Sequence, residues 1–272
     1  GWSPSDRTAA DEPWRRSGDH RSAPSAGYCR TVPPDDDAIE RPRNWGMGDA
    51  AAGLLLANIA AVLIGSLILA ATGNGSTDSD DLPLTMVAAL QIPLWLGYLG
   101  VPVWAARRKG NGVVADFGLR MRWMDAPIGL VIGILTQVVL IPILYVPIFW
   151  LTGEQDLSAA ARGLTDRASD PFGVALLVAI VVIGAPIVEE LFWRGLLLRS
   201  VERHFGTGWA VAATSLLFGA IHLQFLQFPA LALAGLVFAL LTVRFGRLGP
   251  AIWAHVGFNG IAVVTLLSER AS

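Results

Sequence analysis

Two adjacent acids are the first residues in this sequence whose types and spacing could do chemistry. Glu189 and Glu190 follow a long apolar stretch, and Arg194 comes four residues after Glu190. Residues four apart share a face of a helix, so Glu190 and Arg194 can form a salt bridge with the acid nearer the N-terminus, which is the favourable order. Glu189 points about 100° away and has no local partner. A carboxylate left in an apolar setting can act as a general base or as a metal ligand.

Two histidines supply the other polar groups. His222 follows Phe218 by one helical turn, and His255 precedes Asn259 by one turn. An imidazole and an amide on one helical face can donate hydrogen bonds to a developing oxyanion, and a histidine can instead bind a metal. Together with the acids, these residue types indicate water-assisted or metal-assisted hydrolysis.

Each group also has a purely structural interpretation. The two acids could mark the place where a helix leaves the membrane, although Leu196, Leu197 and Leu198 continue the apolar run beyond them. A lone histidine on an apolar helix is often a hydrogen-bonded packing residue. These alternatives explain the groups one at a time but not their joint occurrence.

The elements that must position these residues are apolar helices. Of 272 residues, 53% are hydrophobic and 15% are charged, against roughly 45–50% and about 25% in a soluble domain. The net charge of −2 excludes the strongly basic surface that nucleic acid requires. The single cysteine, Cys29, excludes a disulfide within the chain. The sequence therefore predicts an all-α, polytopic membrane helical bundle.

Seven stretches are long and apolar enough, or nearly so, to cross about 30 Å of hydrocarbon. They are Ala50–Thr72, Leu82–Ala106, Pro127–Leu151, Phe172–Arg199, Gly208–Phe225, Pro229–Val243 and Pro250–Leu267. The sixth is short, so incomplete spanning by the fifth and sixth segments stays open. Charged side chains at membrane depth cost at least about 2.5–3.5 kcal/mol, and the first, second, third and sixth segments contain none.

The placement of basic residues predicts the orientation. With the N-terminus inside, sixteen lie on inner segments and three on outer ones, which makes the N-terminus cytoplasmic. We expect a disordered cytoplasmic tail over residues 1–47, helices one to three with their loops over 48–169, and a catalytic core over 170–268. The tail contains no apolar period that could pack a face.

Three motifs follow one another on successive helices of the predicted core. They are Glu-Glu-x-x-x-Arg at 189–194, Phe-x-x-x-His at 218–222 and His-x-x-x-Asn at 255–259. In this the sequence resembles the CPBP family of intramembrane endopeptidases, CAAX proteases and bacteriocin-processing enzymes, which is also called the Abi family. The resemblance covers about residues 170–268 and leaves the first three helices as a variable portion.

The resemblance implies catalytic roles for five residues. Glu189 and His222 would activate the water that attacks the scissile carbonyl, and Glu190 would be a second, orienting carboxylate. His255 and Asn259 would stabilise the tetrahedral oxyanion. The implied activity is a CPBP-type membrane metalloendopeptidase.

Structural support and metal binding also follow from the resemblance. Arg194 would hold the glutamate pair, and Phe218 would be the second supporting residue. Glu189, His222 and His255 are the candidate ligands of a divalent metal, with zinc expected, because two histidines and one glutamate with an open fourth position form a catalytic zinc set. The short His-Glu-x-x-His signature is absent, so water activated by Glu and His without a metal remains an alternative.

The chemistry is better defined than the substrate. Only one of the 20 basic residues is a lysine, Lys109, which suggests a high-GC bacterial source and a location in the plasma membrane. Peptide precursors, leader sequences or other membrane proteins are then the expected substrates, with the lipid bilayer as a partner and no nucleic acid. A non-proteolytic scaffold or immunity factor on the same fold is the main alternative. A transporter is less favoured because the polar residues lack the internal repeat of transporters.

The depths of the motifs raise one difficulty. At a rise of about 1.5 Å per residue, Glu189 and His255 both lie near the cytoplasmic side, whereas His222 lies about 20 Å from the inner end of its helix. The fifth segment must therefore start deeper, tilt or re-enter the membrane. We expect His222 to approach Glu189 and His255 to within ligand or water-bridging distance.

Overall fold

The computed structural model describes residues 42–271, so most of the predicted tail lies outside the described residues. Within the described range the chain forms helices and no strand. The helices are α1 Met47–Ala71, α2 Leu84–Lys109, α3 Val113–Phe117, α4 Asp125–Thr152, α5 Ala159–Asp166, α6 Pro171–Phe205, α7 Thr207–Ile221, α8 Phe228–Phe245 and α9 Gly249–Ala271. The protein is an all-helical, multi-pass membrane protein.

The predicted spans are confirmed as helices, but the short one is the fifth and not the sixth. Among residues 42–271, six helices are long and apolar enough to cross a membrane, and α7 is a seventh, shorter apolar helix. The sequence made the sixth span the short one, but α8 has 18 residues and α7 has 15. The predicted fifth span is too long, because the apolar residues after Ile221 form a loop, in which Leu223 has a φ of 54°.

The end of the bundle where α1 begins and α2 ends is closed by charged and aromatic contacts. Lys109 on α2 forms a 2.6 Å salt bridge with Asp49 on α1. Trp45 is only 3% exposed and lies edge-on to Phe117 at 4.8 Å. The guanidinium of Arg203 lies 3.4 Å from the Trp45 ring centroid. Residues 42–47, placed in the tail by the sequence, therefore include a segment packed against the helices.

Helix α4 packs against α9 through small residues. A Cβ added at Gly133 would lie 1.9 Å from the Ala254 carbonyl oxygen, and one at Gly129 would lie 2.5 Å from Trp253 Cβ. On α9, a Cβ at Gly257 would lie 2.7 Å from the Leu130 carbonyl oxygen. Small residues four apart allow two membrane helices to approach this closely. Helix α4, the third predicted span, is thus packed closely against α9, the helix that carries His255.

An ion pair fixes the starts of α4 and α9 relative to each other. Asp125, which is buried, accepts a 3.0 Å hydrogen bond from Nε of Arg247 in the turn between α8 and α9. The hydrogen bond to Asp125 raises the pKa of the Arg247 guanidinium above its ordinary value. Arg247 therefore stays protonated. Its ion pair with Asp125 places the first turn of α4 beside the first turn of α9.

Helix α6 contains two π-helical segments, Val178–Gly184 and Leu191–Leu197. A short α-helical stretch, Ala185–Glu190, lies between them and ends on the two acids. Widened turns of this kind leave carbonyl groups available to outside donors and are frequent at functional sites. The motif residues of α6 therefore lie where the helix departs from regular geometry.

Gly133→Ala is expected to destabilise the bundle by about 1–3 kcal/mol or more, because the new methyl group would overlap the α9 backbone and force the helices apart. Thermal unfolding in detergent, followed by the loss of monodisperse protein, measures the effect. Gly100→Ala on α2 is the matched control, since a Cβ there meets nothing within 4 Å. Equal midpoints for the two variants would contradict the proposed α4–α9 contact.

Candidate active site

A buried ion pair lies at the centre of the site. Glu190 is 0% exposed and Arg194 is 1% exposed, and Nη1 of Arg194 donates a 2.8 Å hydrogen bond to Oε1 of Glu190. Nη2 of Arg194 donates a 3.0 Å hydrogen bond to the carbonyl of Gly235 on α8. A charge at this depth requires both a counter-ion and hydrogen bonds. The salt bridge predicted from the spacing of Glu190 and Arg194 is thus present, and the second hydrogen bond of Arg194 links α6 to α8.

His255 on α9 lies between the two acids. Its Nδ1–H donates a 3.0 Å hydrogen bond to Oε1 of Glu190. Its Nε2 lies 4.0 Å from Oε2 of Glu189, whose side chain is 18% exposed. That separation is too long for a hydrogen bond but lets one water contact both atoms. Glu189, unlike Glu190, is therefore accessible to a reactant.

Two phenylalanines enclose the ion pair and the imidazole. Phe238 on α8 stacks on His255 with centroids 4.7 Å apart and planes at 23°, and Phe218 on α7 lies edge-on at 5.9 Å. The Arg194 guanidinium carbon lies 4.5 Å from the Phe218 centroid and 5.3 Å from that of Phe238. Aromatic faces stabilise a desolvated cation. The rings thus fix both the guanidinium and the imidazole.

His222 caps the C-terminus of α7. Its Nδ1–H donates a 2.7 Å hydrogen bond to the carbonyl of Phe218, and the two rings are 5.0 Å apart. This bond fixes the tautomer and leaves the Nε2 lone pair available as a base. Both histidine rings contact Phe218, so α7 and α9 meet at the site. The predicted approach of His222 to Glu189 stays a prediction.

Asn259 lies one turn beyond His255 and faces α6. Its Nδ2 donates a 2.8 Å hydrogen bond to the carbonyl of Val181, which belongs to the first π-helical segment. An amide carries two N–H groups, so one remains for an oxyanion. Asn259 also lines a cavity of about 680 Å³, most of whose walls are apolar side chains of α4, α5 and α9. The amide therefore lies between the polar cluster and an apolar cavity.

The predicted metal ligands do not form a three-ligand centre. Within residues 42–271, no group of three or more His, Cys, Asp or Glu side chains could hold a metal ion. Glu189 and His255 offer two donors, and a catalytic zinc site needs three protein ligands. The set Glu189, His222 and His255 does not fit zinc as placed, and zinc binding stays a prediction.

Sequence reasoning missed three groups that position the site. Phe238 and Gly235 belong to α8, which carries no charged residue at membrane depth and therefore shows no polar signal in the sequence. Val181 contributes only its backbone carbonyl. A Cβ at Gly235 would lie 3.2 Å from the Ser215 Cα. A glycine in a span therefore marked the close contact of α7 and α8, but its partner on α7 was not predictable from the sequence.

Glu190→Gln alone, or Arg194→Met alone, is expected to cost about 3–5 kcal/mol, since either change leaves a buried charge without its counter-ion. The double variant is expected to recover a large part of this loss. Thermal unfolding in detergent is the measurement. Glu189→Gln is the control, because it changes the same residue type at the neighbouring, partly exposed position. Additive losses in the double variant would contradict the pairing.

Comparison with known proteins bears on the same region. No curated protein and no solved structure matches the chain. Residues 171–261 match the family described as type II CAAX prenyl endopeptidase Rce1-like. That range contains all three motifs and runs from the first turn of α6 into α9. The resemblance predicted from the motifs is therefore confirmed: the helices that build this site match the Rce1-like family model, which is consistent with the CPBP family.

Proposed function

We propose that this protein is an intramembrane endopeptidase that hydrolyses peptide bonds with a water activated by Glu189. The observation that carries the proposal is the position of His255, whose two ring nitrogens face Glu190 at 3.0 Å and Glu189 at 4.0 Å. A carboxylate that is open to a reactant, next to an oriented imidazole, is the arrangement that water-assisted hydrolysis needs.

Glu189 acts as the general base. It removes one proton from the water while the water oxygen forms a bond to the scissile carbonyl carbon, and the carbonyl oxygen takes the negative charge. His222 accepts a hydrogen bond from the second hydrogen of the water through its Nε2 lone pair, which the Nδ1–H bond to Phe218 leaves available, and takes that proton as the product carboxylic acid ionises. Side chains in such roles contribute typically about 10²–10⁴-fold to the rate.

His255 and Asn259 stabilise the oxyanion. Glu190 holds Nδ1 of His255, so Nε2 lies on the side of Glu189, and in the doubly protonated imidazole that carries this role Nε2–H donates to the oxyanion. The second N–H of the Asn259 amide donates to the same oxygen, while the Val181 carbonyl holds the first. The carbon–nitrogen bond then breaks, and the proton held by Glu189 passes to the leaving amine.

The substrate is a peptide or a membrane-associated protein. The apolar cavity that Asn259 lines suits an apolar segment of the substrate, and His255 of the polar cluster lies one helical turn before that amide. We place the protein in a bacterial plasma membrane with its N-terminus in the cytoplasm. A divalent metal, with zinc first, stays part of the proposal only as a requirement to be tested.

Glu189→Gln is expected to abolish cleavage while leaving the unfolding temperature close to that of the wild type, because the side chain is partly exposed and not in the ion pair. Purified protein is assayed on a library of unmodified peptides and on peptides ending in a prenylated CAAX sequence. Glu154→Gln, an exposed acid on the loop after α4, is the control. Wild type that cleaves neither set would favour the scaffold alternative, and a cleaving Glu189→Gln would overturn the assigned base.

His222→Gln is expected to lower kcat by about 10²-fold or more, since a neutral amide cannot accept a proton at neutral pH. His204→Gln is a matched control because His204 also donates from Nδ1 to the carbonyl four residues earlier, that of Ser200. Each variant and the wild type are measured with and without a chelator, followed by metal analysis. Equal activity of the two histidine variants would contradict the role of His222. Cleavage that survives chelation in metal-free protein would overturn the zinc prediction.

Asn259→Ala is expected to lower kcat by about 10²–10³-fold with little change in KM, because the lost donor acts on the oxyanion and not on the bound substrate. Initial rates over a range of substrate concentrations separate the two parameters. A rise in KM at unchanged kcat would show instead that Asn259 binds substrate through the cavity that it lines.

A further inference from the structure

A second cavity lies at the end of the bundle where α1 begins and α6 ends, away from the catalytic cluster. Its volume is about 580 Å³. Its walls are made by Pro42, Arg43, Trp45, Asp116, Arg199, Glu202 and Arg203. Five of these seven side chains are charged, which makes it unlike the apolar cavity beside the active site.

The two carboxylates in this cavity are already engaged by the protein. Asp116 accepts a 3.1 Å hydrogen bond from Nε of Arg43 and a 2.8 Å bond from the backbone N–H of Asn111. Glu202 accepts a 2.7 Å bond from the hydroxyl of Thr207. Three arginines face two acids, so the cavity carries a net positive charge.

Arg199 has donor capacity that the described residues do not use. Its Nε is buried, and nothing within residues 42–271 lies within hydrogen-bonding reach of that atom. Its Nη2 reaches the Gly246 carbonyl only at 3.4 Å. A buried N–H without an acceptor is costly and uncommon in folded proteins. Within the described residues the Nη groups have only that weak contact, so they remain available to an anion in the cavity.

Arg203 is held in a fixed orientation beside it. The guanidinium lies 3.4 Å from the centroid of the Trp45 ring, and its Nη1 donates a 3.0 Å hydrogen bond to the Trp45 carbonyl. A planar guanidinium stacked on an aromatic ring keeps its fork of donors pre-organised. Such a fork binds phosphate oxygens in pairs.

The residues around the cavity indicate that it lies at the level of lipid headgroups. Arg199 and Arg203 occupy the last turns of α6, which ends at Phe205. Two tryptophans near the same end of the bundle are largely exposed, Trp209 at 73% and Trp104 at 49%. Exposed tryptophans mark the membrane–water interface, where the phosphates of phospholipids lie.

We infer that this cavity is a binding site for the phosphate of an anionic phospholipid. Arg199 and Arg203 donate hydrogen bonds to the phosphate oxygens, and the acyl chains lie along the exposed apolar faces of the neighbouring helices. Basic pockets between membrane helices bind such headgroups. The inference does not depend on the proposed proteolysis, because no residue of this cavity belongs to the catalytic cluster.

Native mass spectrometry of the full chain in detergent tests the site, with phosphatidylglycerol, phosphatidylcholine and inorganic phosphate as probes. We expect the first phosphatidylglycerol to bind more tightly than phosphatidylcholine, and Arg199→Gln to weaken its binding about tenfold or more, because a charge-assisted hydrogen bond to the phosphate is lost. Arg108→Gln is the control, because Arg108 is exposed and lies in the last turn of α2 at the same end of the bundle. It is expected to change binding less than twofold.

Glu202→Gln gives a second, opposite readout. The amide oxygen keeps the hydrogen bond from Thr207, but the negative charge is lost, so phosphatidylglycerol is expected to bind more tightly. General destabilisation cannot produce a loss in Arg199→Gln together with a gain in Glu202→Gln. Equal effects of Arg199→Gln and Arg108→Gln, or no preference for the anionic lipid, would overturn the site. Saturation by inorganic phosphate that displaces the lipid would overturn the lipid as its ligand.

Discussion

The structure depends on keeping one guanidinium charged inside an apolar bundle. Arg194 is 1% exposed, and an isolated ion at that depth would be far too costly. Four groups offset the cost: the Glu190 carboxylate on the same helix, the Gly235 carbonyl on α8, and the faces of Phe218 on α7 and Phe238 on α8. Because these partners come from three helices, satisfying one charge fixes how α6, α7 and α8 pack.

The same ion pair separates two neighbouring acids into two roles. Glu190 is fully buried and shared between Arg194 and His255, so its carboxylate orients other groups. Glu189, about 100° around the helix, lies outside the pair and keeps part of its surface open. Adjacent residues of one type thus differ in chemistry because the helix turns them toward different surroundings. His255 is the side chain that contacts one acid and faces the other.

The sequence predicted what periodicity and charge can encode. The spans, the Glu190–Arg194 pair and the three motifs were all accessible, because charged residues among apolar ones stand out. Phe238 and the Val181 carbonyl were not, since an apolar side chain in an apolar helix, or a backbone group freed by a π-helical turn, leaves no polar signal. Trp45 was assigned to a disordered tail because one aromatic residue has no periodicity. The contact of Trp45 with Arg203, distant in the sequence, decides its burial.

The shortness of α7 has a consequence for the surrounding bilayer. Fifteen residues span about 22 Å, against about 30 Å of hydrocarbon, and α7 starts beside the interfacial end of α6. Its other end, with His222 and an irregular loop in which Phe225 is 97% exposed, therefore lies at a depth where unpaired backbone is tolerated only against protein or water. Thinning of the lipid at that point would let solvent reach the loop. A helix too short to span would thus bring water close to the proposed general base.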